Sequence, residues 1–472
     1  MRIEIPIIGG AYTARSLNLN AQKCVNLYPV ISDKGSKPAG LYGTPGLVEF
    51  CDPSDARVVR GAHAFGDYLY AVIGDTFYQI NTSGTATSKG TVSTATGKVW
   101  MADNGTTGNQ LMVLAGTSGY VYDQSADTFA IIADADFPSA SSLTFQDGYG
   151  IITRSSTGQF WISDSYDFTS WDATYYATAE GNVDDVVCAF SDHRELWLFG
   201  TKSTEIWYNS GSGSPPFDRK IDEILERGIS AAASIAAEDN TLFWLDDRKM
   251  VVKADGYRPA VISTREIDYQ IAQYSDVSDA IGFTYSQEGQ TFYVLTFPAG
   301  NATWVYDAAT GEWHQRTSYP SPYNNRWRAN CYAYFDGKHL VGDHSNGKIY
   351  ELDLDTYADD GNIIKAIRTG AAVHEKRHLL FHNTLELEFE AGVGLVSGQG
   401  SDPTVMLRWS DDGGHTWSNE HWKAIGKIGE YSKRARWSKL GRSRDRIYEV
   451  SITDPVKRVL ISANLNATKG MS

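Results

Sequence analysis

Apolar and polar positions alternate along the chain in short runs, and one arrangement of these runs recurs seven times. Each copy has an apolar strand, a turn centred on an acidic residue beside Gly, Asn or His, a second apolar strand, another turn, and a third strand built on an aromatic pair. The first turns fall at Gly66-Asp67, Asp103-Asn104, Asp147-Gly148, Asp192-His193, Asp239-Asn240, Glu288-Gly289 and Asp336-Gly337. The third strands carry Tyr78, Tyr122, Trp161, Trp207, Val252, Tyr306 and Tyr350, at intervals of 44, 39, 46, 45, 54 and 44 residues. Four short antiparallel strands joined by hairpins need about 40–50 residues, the period of a propeller blade. A helical solenoid of similar period would show apolar spacings of three and four, which these segments lack.

Two stretches break the pattern. In the longest interval, Ser263 or Thr264 can cap a short helix over 264–272 whose Ile267 and Ile271 share a face. This predicts an insertion that projects from the propeller and offers an exposed apolar face to a partner. Beyond about residue 380 the blade period gives way to alternating strands such as LELEFEAGVG, TVMLRWSDD and RIYEVSITD, which predict a separate β-sandwich. The expected architecture is all-β: an N-terminal arm over residues 1–50 packed against the propeller, a β-propeller of about seven blades over 51–375, and a C-terminal β-sandwich module over 376–472.

Composition agrees with strands. The 472 residues include 44 Gly, 27 Tyr, 18 Phe and 13 Trp but only 6 Met, which suits pleated surfaces and tight turns better than helical bundles. No run of eighteen apolar residues occurs, and the start MRIEIPIIGG lacks the basic flank and apolar length of a signal peptide, so the chain is expected to be made in a cytosol, with no membrane partner. Cys24, Cys51, Cys188 and Cys331 form no CxxC pair and read as free core thiols. The net charge of −15 argues against broad sequence-independent DNA binding. The charge is unevenly spread: residues 421–460 hold eleven Lys/Arg against four Asp/Glu, or +7, which leaves about −22 for the rest. The basic run Lys423, Lys427, Lys433, Arg434, Arg436, Lys439, Arg442, Arg444 and Arg446 reads as a solvated strand face, or else as a docking patch for an acidic partner or for DNA passing nearby.

Two strings resemble catalytic motifs. His374-Glu375-Lys376-Arg377-His378 matches HExxH, which binds zinc from one helix face. Here it runs directly into the alternating strand LELEFE, leaving little room for that helix, and no zinc, other metal or cofactor is expected. Ser410-Asp411-Asp412-Gly413-Gly414-His415-Thr416-Trp417 fits the Asp-box of sialidases and other propellers, in which Ser and Asp cap backbone amides and Gly supplies positive φ. That box is structural even in enzymes, and a single copy outside the repeat gives thin support for a sialidase-like glycosidase acting on host surface sugar, the alternative function. No GxxxxGK[ST] phosphate loop is present.

The ends of the chain resemble the phage stabilisation proteins, also called tail hub or tail accessory proteins, of short-tailed phages. The resemblance rests on Asn26-Leu27-Tyr28-Pro29 and, after a Gly/Lys loop, Thr44-Pro45-Gly46-Leu47; on Arg227-Gly228-Ile229 before SAAASIAAEDNTLFWL; and on Trp437-Ser438-Lys439-Leu440-Gly441-Arg442 before Arg446 and IYEVSITDP. It implies a non-enzymatic propeller hub in the virion tail, synthesised in the bacterial host cytoplasm, that binds below the portal and adaptor rings after DNA packaging. Such hubs hold the genome in and support tail spikes, fibres or needle, and they self-associate in rings, usually hexamers. Lys433, Arg434, Arg436, Lys439, Arg442, Arg444 and Arg446, with Ile267 and Ile271, are the candidate interface, near packaged DNA without reading its sequence.

Overall fold

A computed structural model describes residues 2–32, 38–182, 184–318 and 325–470; the Gly/Lys loop of the N-terminal motif lies outside the described residues. The chain is all-β, a propeller followed by a β-sandwich. Six blades are each built from four consecutive antiparallel strands, over 59–91, 99–131, 140–178, 186–225, 236–261 and 281–315. The expectation of seven like blades is therefore corrected. The seventh copy of the repeat supplies only three strands, Ala329–Phe335, Lys338–Asp343 and Ile349–Asp353, and its sheet is completed by Gly46–Cys51 from the N-terminal segment. Without an N-terminal partner the third strand would present an unpaired edge; Gly46–Cys51 removes that edge and ties the two ends of the propeller together, and the chain then adds Ala358–Asp359 and Asn362–Ile363 beyond it before entering the sandwich. Asn330 then donates from Nδ2 to Val59 O (2.9 Å), joining this closing sheet to the first blade.

The turns explain why the repeat is legible. In five copies both central residues of the first hairpin turn have positive φ: Asp147-Gly148, His193-Arg194, Asp239-Asn240, Glu288-Gly289 and Asp336-Gly337. This is the type I′ geometry whose twist matches the flanking strands, and Asp, Asn and Gly tolerate it best. The aromatic third strands pack between blades: Phe77 stacks on Phe129 with ring centroids 4.4 Å apart, and Phe160 meets Trp207 edge-on at 5.1 Å. A strand covered by neighbours on both faces loses its alternation, and all eight residues of Gln290–Phe297 are buried.

The N-terminal segment is woven into both modules. Leu27–Ile31 and Ala39–Gly43 extend one sandwich sheet beyond Val459–Lys469, and Arg2–Ile5 pairs with that same strand. Cys24–Val25 lies between Trp313–Gln315 of the sixth blade and Ala366–Thr369 of the sandwich, so blade and sandwich share a ten-stranded sheet. The motif residues sit at these junctions. Asn26, in the left-handed region (φ 53), donates from Nδ2 to Thr317 O and Lys365 O and accepts from Thr317 N. Gly46 passes so close to the closing sheet that a Cβ there would stand 2.4 Å from Thr356 O. Arg368, fully buried, donates to Ile7 O, Gly10 O and Gln22 Oε1 and so holds the N-terminal segment to the sandwich. All four cysteines are buried free thiols.

The helix forms where the cap and spacing predict, over Arg265–Ala272 with Thr264 Oγ1 accepting from Ile267 N. Its expected role is overturned. Ile267 and Ile271 are 0% exposed and belong to one continuous core with Phe243, Leu245, Trp304 and Trp313 of the blades and Leu385 and Val450 of the sandwich. Gln270 Nε2 donates to Thr13 O (3.2 Å), so the N-terminal segment passes alongside the helix. The helix is an internal plug between blade and arm, not a projecting contact.

Candidate interaction surfaces

Every blade begins with its inner strand, so the seven first turns gather at one axial end of the propeller. Contacts between neighbouring turns show this: His63 Nε2 lies 2.7 Å from Asp103 Oδ2, Arg194 Nε 3.1 Å from Asp147 Oδ1, and Ser286 Oγ donates to Glu238 Oε1 at 3.1 Å. Asp67, Asp239, Glu288 and Asp336 are exposed at this end. The sequence held one acidic residue per copy, but only the ring brings them to a single face.

The basic run divides into two kinds of residue. Ala435–Ser438 is the edge strand of a sandwich sheet, paired to Leu380–Phe389 with Glu386 opposite Arg436. Its alternation buries Ala435 and Trp437 and exposes Arg436 and Ser438. Lys433, Arg434, Arg436, Lys439, Arg442 and Arg444 are all exposed. Arg434 pairs with Glu386 (3.1 Å), Lys433 lies 3.9 Å from Glu430, and Arg444 donates to Arg377 O. Arg436, Lys439 and Arg442 make no ion pair among the described residues and are the open cations of this edge.

Arg446 does not belong with them, and its place in a docking patch is corrected. Its side chain is 2% exposed, donates from Nε and Nη2 to the two carboxylate oxygens of Asp411 (2.6 and 2.7 Å), and lies over the Trp409 ring. It lies on the long strand Asp445–Ile452, whose six following residues are buried with it. Neither charge nor alternation could separate it from Arg442 and Arg444, four and two residues earlier; what does is its place on a strand buried on both faces, while Arg442 lies on the separate short strand Arg442–Ser443 and Arg444 between the two.

One surface escaped the sequence reading. Two loops of the sandwich meet where Gly429 N donates to Gly392 O, and together they expose Leu395 (40%), Val396 (87%), Ile428 (59%) and Tyr431 (77%). Lys427 and Lys433 flank this apolar tip. The signal was an apolar pair, Leu395-Val396, inside a glycine-rich segment where no blade or strand needs it.

The catalytic look-alikes resolve into structure. His374 ends a short strand, and Lys376 and Arg377 follow with positive φ, so the HExxH string is a turn and presents no helix face. His382 is buried, its ring nitrogens 2.8 Å from Ser443 Oγ and Tyr448 Oη, and burial with the nearby Arg446 charge depresses its pKa to about 4. Among the described residues no group of three His, Cys, Asp or Glu is arranged to hold a metal. In the Asp-box, Asp412 accepts from the amides of His415 and Thr416 and the Thr416 hydroxyl, and Ser410 Oγ accepts from Gly414 N. The Thr416 contacts hold the Asp412 carboxyl well below the usual range, and its oxygens are spent on the turn. No helix among the described residues is long and apolar enough to cross a membrane.

The fold and these surfaces define a two-module β-scaffold whose distinctive chemistry lies in its surface charge. The family model of the bacteriophage P22 Gp10 β-propeller matches residues 3–357, and that of the Gp10 β-sandwich matches residues 367–468. The chain belongs to this family of phage stabilisation proteins, a family of phage structural proteins. Among curated proteins none matches the sequence. Solved structures similar in part include the computationally designed Ika8 protein (8% identity, TM-score 0.41, 65% of this chain and 99% of that one). Virginiamycin B lyase from Staphylococcus aureus is similar at 11% identity and TM-score 0.44, over 65% of this chain and 98% of the lyase chain. At this level neither likeness bears on function.

Proposed function

We propose that the protein is a structural tail hub of a short-tailed phage, a virion component that attaches below the portal and adaptor after packaging, retains the DNA and anchors spikes, fibres or needle. The match of the family models to both modules carries this reading. Self-association in a ring, as a hexamer, is part of the proposal, as is the lack of enzymatic activity. The single Asp-box does structural work in its turn, as such boxes do even in enzymes, and lends no catalytic group to the glycosidase alternative.

Polarity supports the attachment mode. An open cationic edge at Arg436, Lys439 and Arg442, on a body that carries about −22 outside residues 421–460, gives the chain two unlike ends that can orient it on an acidic adaptor, portal or subunit surface. The test adds purified protein to tailless, DNA-filled heads, followed by negative-stain microscopy and a nuclease assay for DNA release. Stoichiometric rings at the portal vertex with retained DNA are expected; heads that stay bare and leak at the same rate with and without the protein would overturn the proposal.

A further inference from the structure

At the axial end where the inner strands begin, opposite the acidic turns, the propeller forms a half-open cavity of about 560 Å3. Arg60, Lys98, Trp100, Ser141, Asp279 and Arg326 line it, drawn from blades and connecting segments around the ring. Its cations are unequally satisfied. Arg60 is bound to the carbonyls of Gly74, Thr94, Thr96 and Gly97. Lys98 has no hydrogen bond or ion pair among the described residues, and its ammonium stands 6.0 Å from the centre of the Trp100 ring. Arg326 Nη1 is buried without a hydrogen-bond partner. The facing carboxylate, Asp279, accepts from Ala299 N through Oδ2 (2.7 Å) while its Oδ1 is buried without a hydrogen-bond partner; it acts on Arg326 together with Asp343, which lies 3.3 Å from Arg328.

Three cations against one lining carboxylate leave two positive charges, on the half-buried Lys98 and Arg326, facing this cavity. Burial holds Lys98 and Arg326 below their ordinary pKa values, as expected of cations whose lost hydration is not fully repaid. Guanidinium and ammonium groups are matched by oxygen-rich anions, through charge-assisted hydrogen bonds. We propose that this axial cavity binds a small oxyanion with two negative charges, of the hydrogen phosphate or dicarboxylate class, held by Lys98 and Arg326. The site is independent of the tail-hub reading.

The test is calorimetric titration of the full chain with inorganic phosphate and, separately, succinate at matched ionic strength, with thermal unfolding in the same buffers and in chloride. One saturable site per chain is expected, with an unfolding midpoint that rises with the bound anion but not with chloride. Lys98→Met weakens binding at least about tenfold and raises the midpoint without ligand, because an uncompensated charge is gone, while Lys98→Arg keeps binding. Binding of only one probe identifies the anion. Should Lys98→Met fail to fold, Arg326→Gln makes the same comparison. No saturable heat with either anion, or equal binding by wild type and the neutral variant, would overturn the proposal.

Discussion

Arg446→Met separates a structural arginine from a docking one. The substitution keeps much of the apolar stem over Trp409 but removes both hydrogen bonds to Asp411 and the donor to Leu440 O. Breaking a buried ion pair costs about 3–5 kcal/mol when the remaining charge stays dry. Here Asp411 is 44% exposed and can be rehydrated, so the pair itself contributes about 1–2 kcal/mol. The buried Leu440 carbonyl loses its charged donor, another ~1–2 kcal/mol. The sum, about 2–4 kcal/mol, is large for one residue. Because the loss is centred on these strands, native-state hydrogen exchange on peptides covering Thr404–Ser410 and Asp445–Ile452 is the suitable assay. Protection there should fall by about 30- to 700-fold, while the blade peptides of 99–131 are unchanged. A change of less than about threefold would refute the structural assignment of Arg446.

Other outcomes follow from the same contacts. Replacing Arg436, Lys439 and Arg442 together with Ser should slow attachment to heads at low salt and flatten its salt dependence, with unfolding of the isolated protein unaltered; stopped-flow light scattering at several salt concentrations measures this, and unchanged kinetics would make the edge a solvated face only. Ile267→Ala should cost about 2–5 kcal/mol in urea unfolding, as expected of a buried and not a projecting residue. Gly46→Val should open the closing sheet by clashing with Thr356 O and Ala358 O, read as faster exchange in Ile349–Asp353. His382 is held neutral in the fold with a pKa near 4 against 6.5 for the free side chain, so the unfolded state takes up its proton first as pH falls; its contribution is complete above about pH 6.5 and is lost progressively down to about pH 4. A His382→Gln variant, followed by urea unfolding across that window, should show a shallower loss than wild type.

What the sequence determined by itself was everything written in local chemistry. Asp, Asn and Gly at the hairpin turns reported their positive-φ positions, the aromatic third strands reported the blade interfaces, and Thr264 with Ile267 and Ile271 reported a helix of the right length and phase. The Ser410–Thr416 turn is equally local, since each of its hydrogen bonds spans four residues or fewer. Tertiary structure decided whatever depends on residues far apart in the chain. Gly46–Cys51 completes a sheet some three hundred residues away, which turns the last repeat copy into a closing sheet instead of a seventh independent blade. The arm beside the helix buries a face that periodicity shows only to be apolar, and Arg446 is covered because its strand is buried on both faces, while Arg442 and Arg444 face solvent. The gathering of the acidic turns at one end, and of Lys98 and Arg326 at the other, follows only from closing the ring. A local pattern fixes a residue's backbone state and the face it occupies; which surface covers that face depends on closure and register, which long-range pairing alone sets.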